Sequence, residues 1–74
     1  MAHPVDMQDA TKELGALTER ERQITVLVCR GLANKEIALQ MRVSEGTVKF
    51  HAHNIFRKLG VKSRSALIYA FANH

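Results

Sequence analysis

The sequence is poor in the residues that cross-link, kink or anchor a small protein. Cys29 is its one cysteine, so no disulfide can form within the chain, and its one proline, Pro4, lies near the start. No apolar run approaches the roughly 20 residues that a membrane-spanning helix needs, and residues 1–14 lack the apolar stretch of a secretory signal. These absences favour a reducing compartment, so we expect a cytoplasmic protein with no membrane partner.

Strand signals are scarce as well, because apolar and polar residues alternate over no sustained stretch and no two-residue hairpin turn occurs. Apolar residues recur instead at helical spacing, as in Ile24, Leu27 and Val28. A chain of 74 residues makes one small domain with a compact core. The sequence therefore predicts an all-α, four-helix bundle-like domain that contains a helix-turn-helix, with helices at about 18–30, 35–42, 45–59 and 64–72.

The ends of these helices are predicted from capping residues. Thr18 and Glu21 have the spacing of a capping box, in which a hydroxyl and a carboxylate each accept from the other residue's backbone amide. Short polar side chains and glycines mark the other ends. We expect N-caps at Asn34, Ser44 and Ser63, and stops at Gly31 and Gly60.

The start of the chain has no apolar period. We expect a flexible tail over residues 1–15, a folded domain over residues 16–74 and the helix-turn-helix at about 34–59.

The third predicted helix has two unlike faces. At 100° per residue, Lys49, His53 and Arg57 fall on one side together with the ring of Phe50. The opposite side is apolar and is expected to pack on the first two helices. It consists of Val48, Ala52, Ile55 and Leu59.

The basic side of this helix suits nucleic acid, which the excess of 11 basic over 7 acidic residues also favours. Lys49 can donate to guanine, His53 can donate or accept, and Phe50 can contact a thymine methyl group in a major groove. Ser44 and Thr47, at the helix N-terminus, can donate to phosphate oxygens. An ordinary solvated face would not need the phenylalanine.

Other polar and small residues have two interpretations each. Gly46 permits a close approach of DNA, or is merely tolerated near a helix N-terminus. Lys62 and Arg64 steer toward phosphates, or are simply solvated. His51 and His53 lie about 200° apart on a helix and cannot share an ion, so no metal site is expected. His51 is expected to be half-buried, bonded to the backbone or at the core edge, and Cys29 to be a small core residue.

The fourth predicted helix carries seven consecutive apolar residues, 66–72. One face of such a helix can pack on the core, and the rest forms an exposed apolar patch typical of an interface. We expect a homodimer in which Leu67, Ile68 and Phe71 are shared between the core and the partner.

Several short motifs occur in a fixed order along the chain. They are LTERE at 17–21, GLANKEIA at 31–38, SEGTVKFH at 44–51, RKLGV at 57–61 and SR at 63–64. Over residues 17–72 the chain resembles the LuxR-type helix-turn-helix domain, the output domain of many response regulators and quorum-sensing activators. Such domains usually follow a receiver or ligand-binding domain, so both an excised output domain and a stand-alone regulator remain open.

The resemblance implies sequence-specific binding of double-stranded DNA in bacterial transcription regulation, with dimerisation through the last helix, RNA polymerase as a candidate partner and no cofactor. Base contacts are expected at Lys49, Phe50 and His53. Contacts to the DNA backbone are expected at Asn34, Lys35, Ser44, Thr47 and Lys58, and Arg57 on the basic face joins this set.

Three alternatives compete with this interpretation. A sigma-factor region shares the start of the first helix and the Gly46-Thr47-Val48-Lys49 turn, but residues 58–61 and the apolar fourth helix favour the LuxR type. A helical protein-interaction module, or an inhibitor of another regulator, could use the basic face on an acidic protein. An enzyme is disfavoured, because no nucleophile–base pair, glycine-rich phosphate loop or paired carboxylates are evident.

Overall fold

The computed structural model describes residues 16–72, and all regular structure in that range is helical. Each helix begins and ends within one residue of its predicted bounds, and the all-α prediction is confirmed. The predicted tail over residues 1–15 and the last two residues lie outside the described range. The helices are α1 (Glu19–Cys29), α2 (Asn34–Met41), α3 (Glu45–Leu59) and α4 (Arg64–Ala72).

The first helix begins and ends as its sequence predicts. The amide of Glu21 donates to Thr18 Oγ1 at 3.1 Å, and the amide of Thr18 donates to Glu21 Oε1 at 2.9 Å. The capping box is therefore complete. Beyond α1, Gly31 has a φ of +93°, which glycine adopts without a steric cost.

The predicted cap of α2 at Asn34 is wrong. The N-cap is Ala33, and the backbone amide of Ala33 donates to the carboxylate of Glu36 at 2.7 Å. Asn34 is instead the first helical residue, and its side chain accepts a hydrogen bond from Arg64. A contact with α4 thus replaces the local cap that the sequence predicts.

A three-residue turn, residues 42–44, connects α2 to α3. Arg42 has a φ of 62°, a left-handed conformation that glycine more often takes at a helix end. The amide of Val43 then donates to the Ala38 carbonyl at 3.0 Å. Ser44 caps α3 as predicted, accepting from the amide of Thr47 at 3.0 Å.

The predicted start of α4 is also confirmed. Ser63 Oγ accepts from the amide of Ala66 at 3.1 Å. Gly60, with a φ of +70°, ends α3 before it.

One core joins the four helices. Its six wholly buried large side chains come from every helix: Ile24, Val28, Ile37, Val48, Ile55 and Leu67. Each such burial contributes about 1.5–3 kcal/mol to folding. The α4 helix adds Ile68 and Phe71, which are half-buried against this cluster.

Leu67 therefore requires a correction to the predicted dimer interface. Its side chain is 0% exposed within a single chain. A residue with no accessible surface has none to share with a partner, so Leu67 is a core residue alone.

Within the described part of the chain, no helix has the length and apolar character needed to cross a membrane.

A partly buried ion pair ties α1 to α3. Lys58 Nζ donates to Glu21 Oε1 at 2.8 Å, and the Glu21 side chain is only 5% exposed. Burial alone would raise the pKa of Glu21. The hydrogen bond from Lys58, the backbone amide of Thr18 and the charge of Lys58 outweigh burial, so the pKa of Glu21 lies below its ordinary value.

This ion pair predicts an acid-dependent loss of stability. A folded-state pKa below the unfolded value of about 4.3 means that the stabilisation is present above that pH and is lost as the pH falls through the folded pKa. We expect Glu21→Gln to lower the unfolding free energy at pH 7 by about 1–3 kcal/mol. Urea titrations at pH 7, 5, 4 and 3 should show the gap from the unsubstituted protein shrinking in acid.

Glu19→Gln is the matched control, because Glu19 lies on the same helix and its ion pair with Arg22 is exposed. Glu19→Gln should lower the unfolding free energy by less than about 1 kcal/mol. A gap for Glu21→Gln that is constant from pH 7 to pH 3 would contradict the assignment.

Candidate nucleic-acid interface

The α3 helix is held by one face and open on the other. Val48 and Ile55 are wholly buried and Ala52 nearly so. Lys49, Phe50, His53 and Arg57 are all exposed. This division fixes the rotation of the helix about its axis, so the basic side chains project away from the core.

Phe50 is the unusual member of the exposed face. Its side chain is 64% exposed, and its ring lies edge-on to His51 with the centroids 5.8 Å apart. Burial of a phenylalanine side chain contributes about 1.5–3 kcal/mol, which this fold leaves mostly unused. An apolar ring amid cationic side chains suits a surface that is both anionic and partly apolar, as a DNA groove is.

The N-terminus of α3 is uncovered. Ser44 Oγ accepts from the amide of Thr47 and lies 3.0 Å from Thr47 Oγ1, so the two hydroxyls form one polar cluster. The first amides of a helix have no partner within it. A Cβ added at Gly46 would meet only Ser44 Oγ, at 3.7 Å, and Gly46 lacks a positive φ. Within residues 16–72, nothing requires glycine at this position.

A shallow, open pocket of about 350 Å³ lies beside the basic face of α3. Lys49 and His53 line it from α3, together with Asn34 from α2 and Arg64 from α4. The guanidinium of Arg64 donates to Asn34 Oδ1 at 2.9 Å and to the carbonyl of Leu32. The structure thus brings three of the predicted site residues together.

From the sequence, Arg64 was left open between a phosphate contact and simple solvation, and it was not among the predicted site residues. One signal was present: an arginine in the first turn of a helix is opposed by the helix dipole. A cation at that position needs a compensating contact, and the structure supplies two. Which groups would supply them could not be predicted, because Leu32 and Asn34 precede Arg64 by about 30 residues.

The remaining residues that are predicted to contact the DNA backbone differ in whether other side chains already engage them. Lys35 is exposed at the start of α2. Arg57 is exposed and donates to Asn54 Oδ1 at 3.2 Å. Lys58 is instead paired with the buried Glu21, so a DNA contact by Lys58 would have to compete with that pair.

His51 and Cys29 are both half-buried. Nδ1 of His51 is buried and has no hydrogen-bond partner among residues 16–72, so the expected backbone bond is absent at that nitrogen.

Burial raises the pKa of the Cys29 thiol, which keeps it protonated and unreactive at neutral pH. In the described range, no three acidic, histidine or cysteine side chains cluster as metal ligands would.

Comparison with known proteins gives one family. Residues 15–71 match the family model described as bacterial regulatory proteins, luxR family. The chain is 47% identical to the response regulator protein TodT of Pseudomonas putida over 53 residues, which are 72% of this chain and 23% of TodT. It is also 47% identical to the nitrate/nitrite response regulator protein NarP of Escherichia coli, over 74% of this chain and 26% of NarP.

A solved structure shares the fold. Full-length FixJ from B. japonicum superposes with a TM-score of 0.83 over 92% of this chain at 29% identity, and the match covers 34% of FixJ. The chain spans about a quarter of the length of the curated relatives named above.

The open space at Gly46 predicts that the fold tolerates a side chain there. Gly46→Ala should leave the unfolding free energy unchanged or raise it by up to about 1 kcal/mol, because alanine is the better helix former. Urea denaturation followed by circular dichroism checks this. Gly60→Ala is the control and should destabilise, since Gly60 holds a φ of +70°. A destabilised Gly46→Ala variant would show that folding itself needs this glycine.

Proposed function

The chain belongs to the luxR family of bacterial regulatory proteins, in which DNA binding serves transcription regulation, and we propose that it reads a specific DNA sequence with α3 in the major groove. The observation that carries the proposal is the uncovered face of α3, where Lys49, Phe50 and His53 project from a helix whose opposite side is locked in the core. The protein acts by recognition and not by catalysis.

Each side chain of this face has a distinct task in the proposal. Lys49 donates to guanine N7 or O6, and the exposed ring of Phe50 contacts a thymine methyl group. His53, one helical turn after Lys49, reaches the neighbouring base pair as a donor or an acceptor. These three side chains select the sequence.

Contacts to phosphates set the position of α3 in the groove. The uncovered amides at the start of α3, with Ser44 and Thr47, face one DNA strand. Lys35 at the start of α2 and Arg57 on α3 add positive charge. The proposal does not depend on Lys58, because its ammonium group already pairs with Glu21.

The active form is proposed to be a dimer that joins through α4. Tyr69 is 71% exposed there, and Ile68 and Phe71 retain part of their surface while they pack on the core. These apolar side chains make a surface that two copies can bury against each other. A two-fold dimer would read two half-sites of opposite orientation.

The first experiment measures DNA binding by fluorescence anisotropy with a random-sequence library at about 50 and 200 mM salt, followed by sequencing of the bound fraction. We expect binding that falls steeply with salt and enriches a two-fold symmetric motif. Absence of binding at both salt concentrations would refute the proposal and favour a protein-interaction module. Salt-sensitive binding without enrichment would refute base reading and leave only the phosphate contacts.

Lys49→Ala tests the reading residues directly. We expect it to weaken binding to the enriched motif by about 1–3 kcal/mol and to relax the preference at one base pair. Arg20→Ala is the control, because Arg20 is an exposed cation on α1 that belongs neither to the reading face of α3 nor to the proposed dimer surface. It removes the same charge and should leave the preference intact. An unchanged base preference in Lys49→Ala would remove Lys49 from the reading set.

Tyr69→Glu tests the dimer. A charge at this exposed position should leave the monomer folded and abolish self-association, whereas Tyr69→Phe should keep it. Sedimentation velocity with and without the enriched DNA measures both. A protein that is strictly monomeric in both conditions, before any substitution, would contradict the proposed dimer.

A further inference from the structure

Arg64 makes contacts that a solvated surface arginine does not make. It stands at the first position of α4, yet its guanidinium reaches back to Asn34 Oδ1, at 2.9 Å, and to the carbonyl of Leu32. The residue is half-buried. A cation is disfavoured at the N-terminus of a helix, so these contacts hold Arg64 at an otherwise unfavourable position.

The contact with Arg64 decides which way the Asn34 amide faces. A guanidinium only donates hydrogen bonds, so Asn34 must turn its oxygen toward Arg64. The NH₂ group of Asn34 then faces away, with two donors unused by this contact. In the absence of Arg64, the amide could rotate and present its oxygen to the same space.

The space beside Asn34 is the open pocket that Lys49 and His53 also line. Its polar lining consists of two cations, an imidazole and an amide whose oxygen already accepts from Arg64. Within the described residues no carboxylate lines it. An oxyanion is the ligand that such a lining fits.

We propose that this pocket holds one phosphate of the DNA backbone and that Arg64 is the positioning residue that aims Asn34 at it. This inference rests on the proposed DNA binding and on the backbone contact expected at Asn34, and it adds the pocket and the role of Arg64. Lys49 and His53 belong both to the pocket and to the reading face, so a phosphate bound here fixes how far α3 enters the groove. Arg64 acts through Asn34 and touches no base.

A double-mutant cycle on DNA affinity tests the positioning role, with Arg64→Met, Asn34→Ala and the double variant bound to the enriched DNA. Each single substitution should weaken binding about tenfold, and the double variant should be little weaker than either. Additive losses would overturn the positioning role, and so would unchanged affinity in Arg64→Met. The Asn34→Ala arm remains informative if Arg64→Met folds poorly.

Arg64→Lys separates geometry from charge. A lysine keeps the positive charge but lacks the planar fork that holds two acceptors. We expect the slope of affinity against salt to stay unchanged while the affinity itself falls. A slope and an affinity both equal to those of the unsubstituted protein would overturn the proposal. Arg20→Lys, at an exposed arginine outside the pocket, is the matched control.

Inorganic phosphate is the probe that separates this proposal from DNA binding as a whole. Titrated into ¹⁵N-labelled protein, it should shift the side-chain NH₂ signals of Asn34, and Arg64→Met should weaken that shift. If the protein binds DNA but neither DNA nor phosphate moves these signals, the pocket is refuted and the proposed function stands. If the protein binds no DNA, the proposed function fails and the phosphate pocket fails with it.

Discussion

The small size of the core is the constraint on which the rest of the structure depends. Six wholly buried side chains, drawn from all four helices, make up most of it. With so little apolar surface available, each helix has to commit one face to the same cluster. For α3 the committed residues are Val48, Ala52 and Ile55, and among residues 16–72 no other helix covers the opposite face. The exposure of Phe50 and Lys49 is thus a consequence of how the core is filled.

Two polar contacts then decide which cations remain on that uncovered side. Lys58 lies on α3, but the buried carboxylate of Glu21 draws it toward α1. Arg64 lies on another helix and joins the pocket beside α3 through Asn34. The charge near the candidate interface therefore follows tertiary contacts as much as the position of each residue on its helix. A count of the basic residues along α3 includes Lys58, although Lys58 pairs with Glu21 of α1. The same count leaves out Arg64, which lies on α4.

The same distinction explains what the sequence could predict. Helix bounds, the caps at Thr18, Ser44 and Ser63, and the two faces of α3 depend on residues within about four positions of each other, which periodicity and capping rules describe. The roles of Lys58 and Arg64 depend on partners 37 and 30 residues away. The predicted cap at Asn34 was wrong because the amide of Ala33 finds a local acceptor in Glu36, while the Asn34 side chain accepts from Arg64. Leu67 was misassigned because a run of seven apolar residues does not say which of them faces inward.

The α4 helix illustrates how one short segment can serve both the core and the surface. Leu67 and Tyr69 are two residues apart, so about 200° of rotation separates their side chains. Burial of Leu67 therefore turns Tyr69 outward, and the same rotation brings Arg64, almost one turn before Leu67, back toward α2. In the proposed dimer, the helix that would set the spacing of two copies is also the helix whose Arg64 donates to Asn34. A shift of α4 would then change the half-site spacing and the phosphate contact together, because one buried leucine orients both.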